Sequence, residues 1–203
     1  MQIETTDTTY RIDGREFPRV TSVLGIVRPD LKEIPADVLA QAAARGRAVH
    51  KGVWALCGGG GGLYWPSVQA ELVPYLRAFE AAQAALGFTV IGKEQLVVSA
   101  VFGYAGRADL IVEWGGRFGI LDLKTSAEPH PAYRLQVSAY VEAYRETSGT
   151  RKRLHRWILY LKGTGRYRLD ACEDTTHEAD FKVFTNVLAA WRWLQAQNGR
   201  KAA

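Results

Sequence analysis

Arg107-Ala-Asp-Leu-Ile-Val-Glu-Trp-Gly-Gly-Arg-Phe-Gly-Ile-Leu-Asp-Leu-Lys124 holds two short apolar runs joined by Gly115-Gly116. Both runs are β-like, and the paired glycines read as a tight hairpin. Residues two apart in a strand share a face, so Asp122 and Lys124 project together while Leu123 turns into the core. Asp109 stands beside Leu110-Ile-Val112 on the first strand. A carboxylate inside a β run costs free energy unless it is paired or metal-bound. Taken singly, each residue has a bland explanation: a salt bridge from Asp109 to Arg107, or a lysine ending a strand at the surface. Taken jointly, two carboxylates and a lysine at one end of adjacent strands suit a divalent cation, an attacking water and a phosphate. That points to phosphodiester hydrolysis.

The flanking sequence predicts an α/β core. Phe88 to Ala100 is strand-like and precedes the hairpin; Ala132 to Thr147 is a helix after a turn at Thr125 to Pro131. Leu154 to Leu161 is strongly β, Gly163-Thr-Gly165 turns it into Arg166 to Leu169, and Thr175 to Gln197 is a closing amphipathic helix. Upstream, Tyr10 to Phe17 reads as a hairpin turning at Asp13-Gly14. Thr21 or Ser22 can cap an apolar turn through Val27. Pro35 to about Leu56 and Ser67 to Leu86 read as helices, separated by the glycine run Gly58 to Gly62, a flexible break. No Gly-Lys-Ser/Thr follows that run, so it is no phosphate-binding loop. The expected architecture is one domain over 1–203. A mostly helical part (1–87) precedes a catalytic sheet with its crossover helix (88–170) and a closing helix (171–203). The central sheet is mixed and flanked by helices.

Composition narrows the class. Lys plus Arg number 26 against 21 acidic residues, a net charge of +5, so any nucleic-acid footprint must come from local clustering. Arg45, Arg47 and Lys51 on one predicted helix form such a cluster, joined by Arg107; Arg151, Lys152, Arg153 and Arg156 form another. Cys57 and Cys172 make no CxxC pair, which argues against a disulfide framework, a zinc site or an iron–sulfur cluster. The polar, acidic N-terminus has no secretory character and no apolar stretch spans a bilayer, so the expected location is the cytoplasm. His50 lies in Arg45-Gly-Arg-Ala-Val-His-Lys51, with Gly46 four residues earlier leaving room for close approach. Gln136 and Tyr140 share one helical face, a pattern open to either a site or a core border. Trp54, Trp65, Trp157, Trp191 and Trp193 can stack on bases, although core packing is the commoner use.

In order along the chain, His50, Gly106-Arg-Ala-Asp109, Ile120-Leu-Asp-Leu-Lys-Thr-Ser126 and Gln136-Val-Ser-Ala-Tyr140 resemble the PD-(D/E)XK nuclease superfamily. Within it the pattern is similar to the RecB-type exonuclease branch, and Pro18-Arg-Val-Thr-Ser-Val-Leu24 resembles the start of small phage-encoded members. The resemblance runs from about Thr21 to Tyr160. It implies a restriction-endonuclease-like core and a Mg²⁺- or Mn²⁺-dependent deoxyribonuclease, an exonuclease by preference, serving DNA recombination, repair or replication in a bacterial or phage-infected cell. Asp109, Asp122, the Leu123 carbonyl and His50 would hold the metal. Lys124 would activate water and stabilise phosphate charge. Gln136, Tyr140 and Thr125 would position the strand, and Glu94 would stand behind the ligands. Several RecB-type relatives carry four cysteines for a cluster that this chain lacks. DNA with ends or single-stranded character is the implied partner. A structure-selective endonuclease on the same core, or a non-catalytic DNA-binding subunit, are the rivals.

Overall fold

The computed structural model describes residues 2–126 and 128–201. Ala127, within the expected Thr125–Pro131 turn, lies outside these residues, as do Met1, Ala202 and Ala203 of the expected 1–203 domain. Five strands form one mixed sheet. Strands β4 (Thr89–Ser99), β5 (Tyr104–Trp114) and β6 (Arg117–Lys124) make an antiparallel meander. Gly115 and Gly116 turn the second hairpin at φ 55° and 72°, the doubly positive backbone such a tight turn needs. Strand β7 (Leu154–Leu161) then pairs parallel to β6, which requires a crossover, supplied by α4 (Ala132–Ser148). Strand β8 (Tyr167–Cys172) returns antiparallel, and α5 (His177–Lys201) closes the chain.

Both faces of the sheet are covered. Helices α4 and α5, with the short α1 (Val20–Leu24), pack around Val97, Ile111 and Ile120. Helices α2 (Ala36–Leu56) and α3 (Val73–Leu86) pack on the other face around Leu110, Val112, Leu121 and Leu123. Strict alternation along β5 and β6 assigns Asp109, Asp122 and Lys124 to the first face, with Ile111 and Ile120. Because neither face meets water, ionised side chains there need partners.

The N-terminal part departs from expectation in four places. A third strand, β1 (Ile3–Thr5), joins the expected hairpin of β2 (Thr9–Ile12) and β3 (Arg15–Pro18), so the helical layer is accompanied by a three-stranded sheet. Tyr10, Ile12 and Phe17 seat that sheet on Ala105. No side chain caps α1; Ser22 instead donates its hydroxyl to the Asp7 carbonyl at 3.2 Å. Helix α3 starts at Val73 rather than Ser67, because Pro74 lacks the N–H an interior position requires and fits only the first turn. The glycine run is an ordered turn, with Gly59 buried against the Trp54 ring.

Candidate active site

Strand register gathers the acids. Lys93 pairs with Leu110 and Gln95 with Ala108, which sets Glu94 opposite Asp109. The β5–β6 ladder runs to Leu110–Leu121, and one further step sets Asp109 beside Asp122. Glu94, Asp109 and Asp122 thus form a row across three strands. The ladder stops there: the Leu123 N–H donates to the Asp109 carboxylate at 2.7 Å instead of to a strand. Glu94 adopts φ 49°, a left-handed backbone that costs a non-glycine residue about 1–2 kcal/mol. Such strain in mid-strand persists only where its surroundings enforce it, and it concentrates at functional sites.

His50 comes from α2 to meet this row. Its Nδ1 lies 3.2 Å from Asp109 Oδ1, and donor atoms of His50, Glu94 and Asp109 lie within 4.8 Å of one another. Burial alone would depress the imidazolium, yet the Asp109 charge and hydrogen bond outweigh it and push the His50 pKa up to about 9. Burial works against the Asp109 carboxylate too, and His50, Lys124 and the Leu123 N–H overcome it, holding its pKa below the usual value. Burial raises Glu94, with the Asp109 charge adding to the effect.

Asp122 is fully buried, and burial lifts its pKa to about 6 despite Lys124. Lys124 Nζ lies 2.6 Å from Asp122 Oδ2 and donates to Gln136 Oε1 at 3.1 Å. Burial opposes its charge, but the Asp122 and Asp109 carboxylates more than compensate and raise its pKa. Gln136 Nε2 donates to Asp122 Oδ1 at 3.1 Å and to the Tyr140 hydroxyl at 3.0 Å, so one amide fixes acid, lysine and phenol together. Tyr140 packs where Gly106 has no side chain; a Cβ there would come within 2.4 Å of its ring. Tyr133, a turn before Gln136 and unnoticed in the sequence, lays its ring 4.7 Å from Lys124 Nζ.

His50, Glu94, Asp109, Lys124, Gln136 and Tyr140 line a cavity of about 770 Å³ walled by β1, β2 and α1 on one side and α2 on another, with Asp122 buried just behind it. Arg47, Lys51 and Arg107 reach it. Arg107 also donates to the Glu94 carbonyl at 3.2 Å, so its neighbour is Glu94 rather than Asp109. Arg19, which the sequence reading passed over, lines the same cavity, its Nε buried without a hydrogen bond. Three expectations fall elsewhere. Arg45 lies over the Tyr75 ring of α3 at 5.9 Å, outside the cavity lining. Thr125 is also outside that lining and packs beside Gly46 of α2, where a Cβ would meet its Oγ1 at 3.5 Å, an ordinary contact. Arg156 is no part of a basic surface: it is 1% exposed and bonded to Ser138, Asp180, Thr176 and the Glu173 carbonyl.

The family model of the PD-(D/E)XK nuclease superfamily matches residues 26–201. The chain belongs to that superfamily. No curated protein sequence matches it. Membership makes the five-stranded mixed sheet a restriction-endonuclease-like core and the chain a metal-dependent nuclease by family. The site's donors fit a divalent cation: one imidazole nitrogen and the Glu94 and Asp109 carboxylates, with the buried Asp122 carboxylate next in the row. No helix among the described residues is long and apolar enough to cross a membrane.

Proposed function

We propose that this PD-(D/E)XK protein is a Mg²⁺- or Mn²⁺-dependent deoxyribonuclease that hydrolyses phosphodiester bonds from strand ends. The observation that carries the reading is the convergence of His50, Glu94 and Asp109 within 4.8 Å, beside the Asp122–Lys124–Gln136 network, in one basic-rimmed cavity. Asp109, Asp122, the Leu123 carbonyl and His50 hold the metal, and Glu94 joins them as a ligand. A metal bound there supplies Lewis-acid charge to the phosphate and a water acidified for attack.

The chain's own groups do the rest. Lys124 is a three-proton donor held by Asp122 and Gln136. It keeps its remaining proton for an oxygen of the bound strand, where developing negative charge strengthens the contact. Gln136 and Tyr140 keep Lys124 and Asp122 in register. Arg19, Arg47, Lys51 and Arg107 bind backbone phosphates, which gives affinity without sequence preference. The N-terminal sheet and α2 close two sides of the cavity, which favours entry of an end over sideways docking of a long duplex. The substrate is cellular or phage DNA in the cytoplasm, within recombination, repair or replication.

End-labelled linear DNA and circular single-stranded DNA, each incubated with Mg²⁺ or Mn²⁺, test the reading. Stepwise loss of label from linear DNA with intact circles is expected. Cutting of circles makes the protein an endonuclease, and no cutting of either with any divalent metal makes it a non-catalytic binder.

A further inference from the structure

The glycine run and Trp54 have no part in the chemistry above, yet they are built against each other. A Cβ at Gly59 would stand 2.3–2.6 Å from Cδ2, Cε2 and Cε3 of Trp54, and one at Gly60 would stand 2.8 Å from Cζ3. A point so near three atoms of one ring lies over its face, not at its edge. The Gly59–Gly60 backbone therefore covers one face of the indole, and no larger residue fits at Gly59 without moving the ring. Lys93 fastens this corner by donating to the Cys57 carbonyl at 2.6 Å, its Nζ 6.0 Å from the Trp54 ring.

Core packing does not account for Trp54. Among the described residues it belongs to none of the buried hydrophobic clusters and makes no aromatic contact, whereas Trp65, Trp114, Trp157 and Trp191 pack into those clusters. It lines the 770 Å³ cavity instead, with Arg47, His50 and Lys51. Positions 47, 50, 51 and 54 share one side of α2. Trp54 follows His50 by one helical turn, about 6 Å along the axis. An indole braced by backbone on one face, set a turn from the acids and flanked by cations, has the parts of a platform for single strands: aromatic surface for the base, positive charge for the phosphates.

We propose that Trp54, backed by Gly59 and Gly60, stacks an unpaired base of the bound strand, so that the site takes single-stranded DNA or a frayed strand end. This rests on the nuclease reading for its strand, but it concerns binding alone. Inside a duplex both faces of a paired base are covered by its neighbours, so duplex without exposed ends gains nothing from the platform.

The test uses the full-length protein in EDTA, where binding proceeds without cleavage. A short single-stranded oligonucleotide should bind Trp54→Leu about 5- to 150-fold more weakly than the parent, the range for losing one base–aromatic stack. Trp54→Phe should keep most of the affinity, and covalently closed circular duplex should bind all three proteins alike. Walking one abasic position along the strand, with the parent protein, should reveal a position whose missing base costs a similar factor; this arm needs no variant to fold. Equal affinity of parent and Trp54→Leu, or an abasic walk without a weak position, overturns the platform. If the protein digests single-stranded DNA and yet gives that result, the platform falls and the nuclease reading stands. Base-dependent binding with no cleavage under any metal gives the reverse.

Discussion

Two buried charged networks lie in one sheet of this protein, a strand apart, and they are built on opposite principles. Around Arg156 on β7, one cation meets Ser138, Asp180, Thr176 and the Glu173 carbonyl, and Arg134 adds a second contact to Asp180 at 3.2 Å. Donors and acceptors match, and no cavity is needed to complete them. Around Asp109 on β5, three clustered acids share Lys124, His50 and, 4.0 Å from Glu94, Arg107; burial raises the pKa of Asp122 and Glu94, and Glu94 sits on strained backbone. The first network is self-sufficient, as a buried charge must be if it only holds the fold. The second crowds three carboxylates together beside an open cavity and pushes two of them upward in pKa, a repulsion that a cation from outside would relieve. A satisfied network carries stability; an unsatisfied one, next to a cavity, carries function.

Substitution should split the two cleanly. The largest effect expected is on the acidic side: Asp122→Asn, like Asp109→Asn, should reduce DNA cleavage to background at metal levels that support the parent. Stability should move the other way in the Asp122→Asn protein. Burial holds the folded pKa of Asp122 at about 6, above the ordinary 3.8. The folded protein therefore takes up this proton more readily than the unfolded chain. Asp122 favours the metal-free fold most below pH 3.8, and that contribution is lost as pH rises through about 6. The amide escapes the loss, so metal-free Asp122→Asn should melt at or above the parent at neutral pH. A lower melting temperature would show that Asp122 holds the fold as Arg156 does. Next comes Arg156→Met, which should cost roughly 3 kcal/mol, the low end for removing one partner of a buried pair, because Asp180 keeps Arg134 and Thr176. For a chain of this size that is about 6–12 °C in melting temperature. Cleavage per folded molecule should not change; a rate loss at full folding would break the contrast.

The sequence made these networks unequally visible. Asp109, Asp122 and Lys124 were legible because strand alternation is local: an acid inside an apolar run is anomalous wherever the strand packs. Gln136 and Tyr140 share a helical face that the residues alone leave open between site and core border, and only the family resemblance marks them for the site. Arg156 was misread because Arg151-Lys-Arg153 precedes it and suggests a solvated face, while β7 is covered on both sides and alternation there separates two interiors rather than inside from outside. Arg45 was separable in principle: five residues before His50, it lies about 140° round the helix from it. The late start of α3 was written in Pro74. Glu94 stands only behind the ligands in the sequence because its meaning depends on which residue of β5 it opposes and on a left-handed backbone, and neither is a property of the residues around it.

Glu94 gives the smallest and sharpest test of the comparison, since it was placed behind the ligands by sequence and beside them by geometry. If its carboxylate holds metal, Glu94→Gln should raise the metal concentration needed for half-maximal cleavage by about 10- to 100-fold, the range for losing one supporting group. The rate at saturating metal should stay nearer the parent's, because Asp109, Asp122 and Lys124 remain. Thermal stabilisation by metal, which reports binding without turnover, should shrink in step. The amide keeps the side-chain shape, so packing cannot explain the change. Glu94→Gly completes the argument: glycine accepts φ 49° freely, so the metal-free variant should hold or gain stability while losing metal affinity. Backbone strain retained at the expense of stability would place Glu94 with the acids that await a ligand. Coinciding metal titrations for Glu94→Gln and the parent would instead make Glu94 a partner of Arg107, and would shift the boundary between the two kinds of network by one residue.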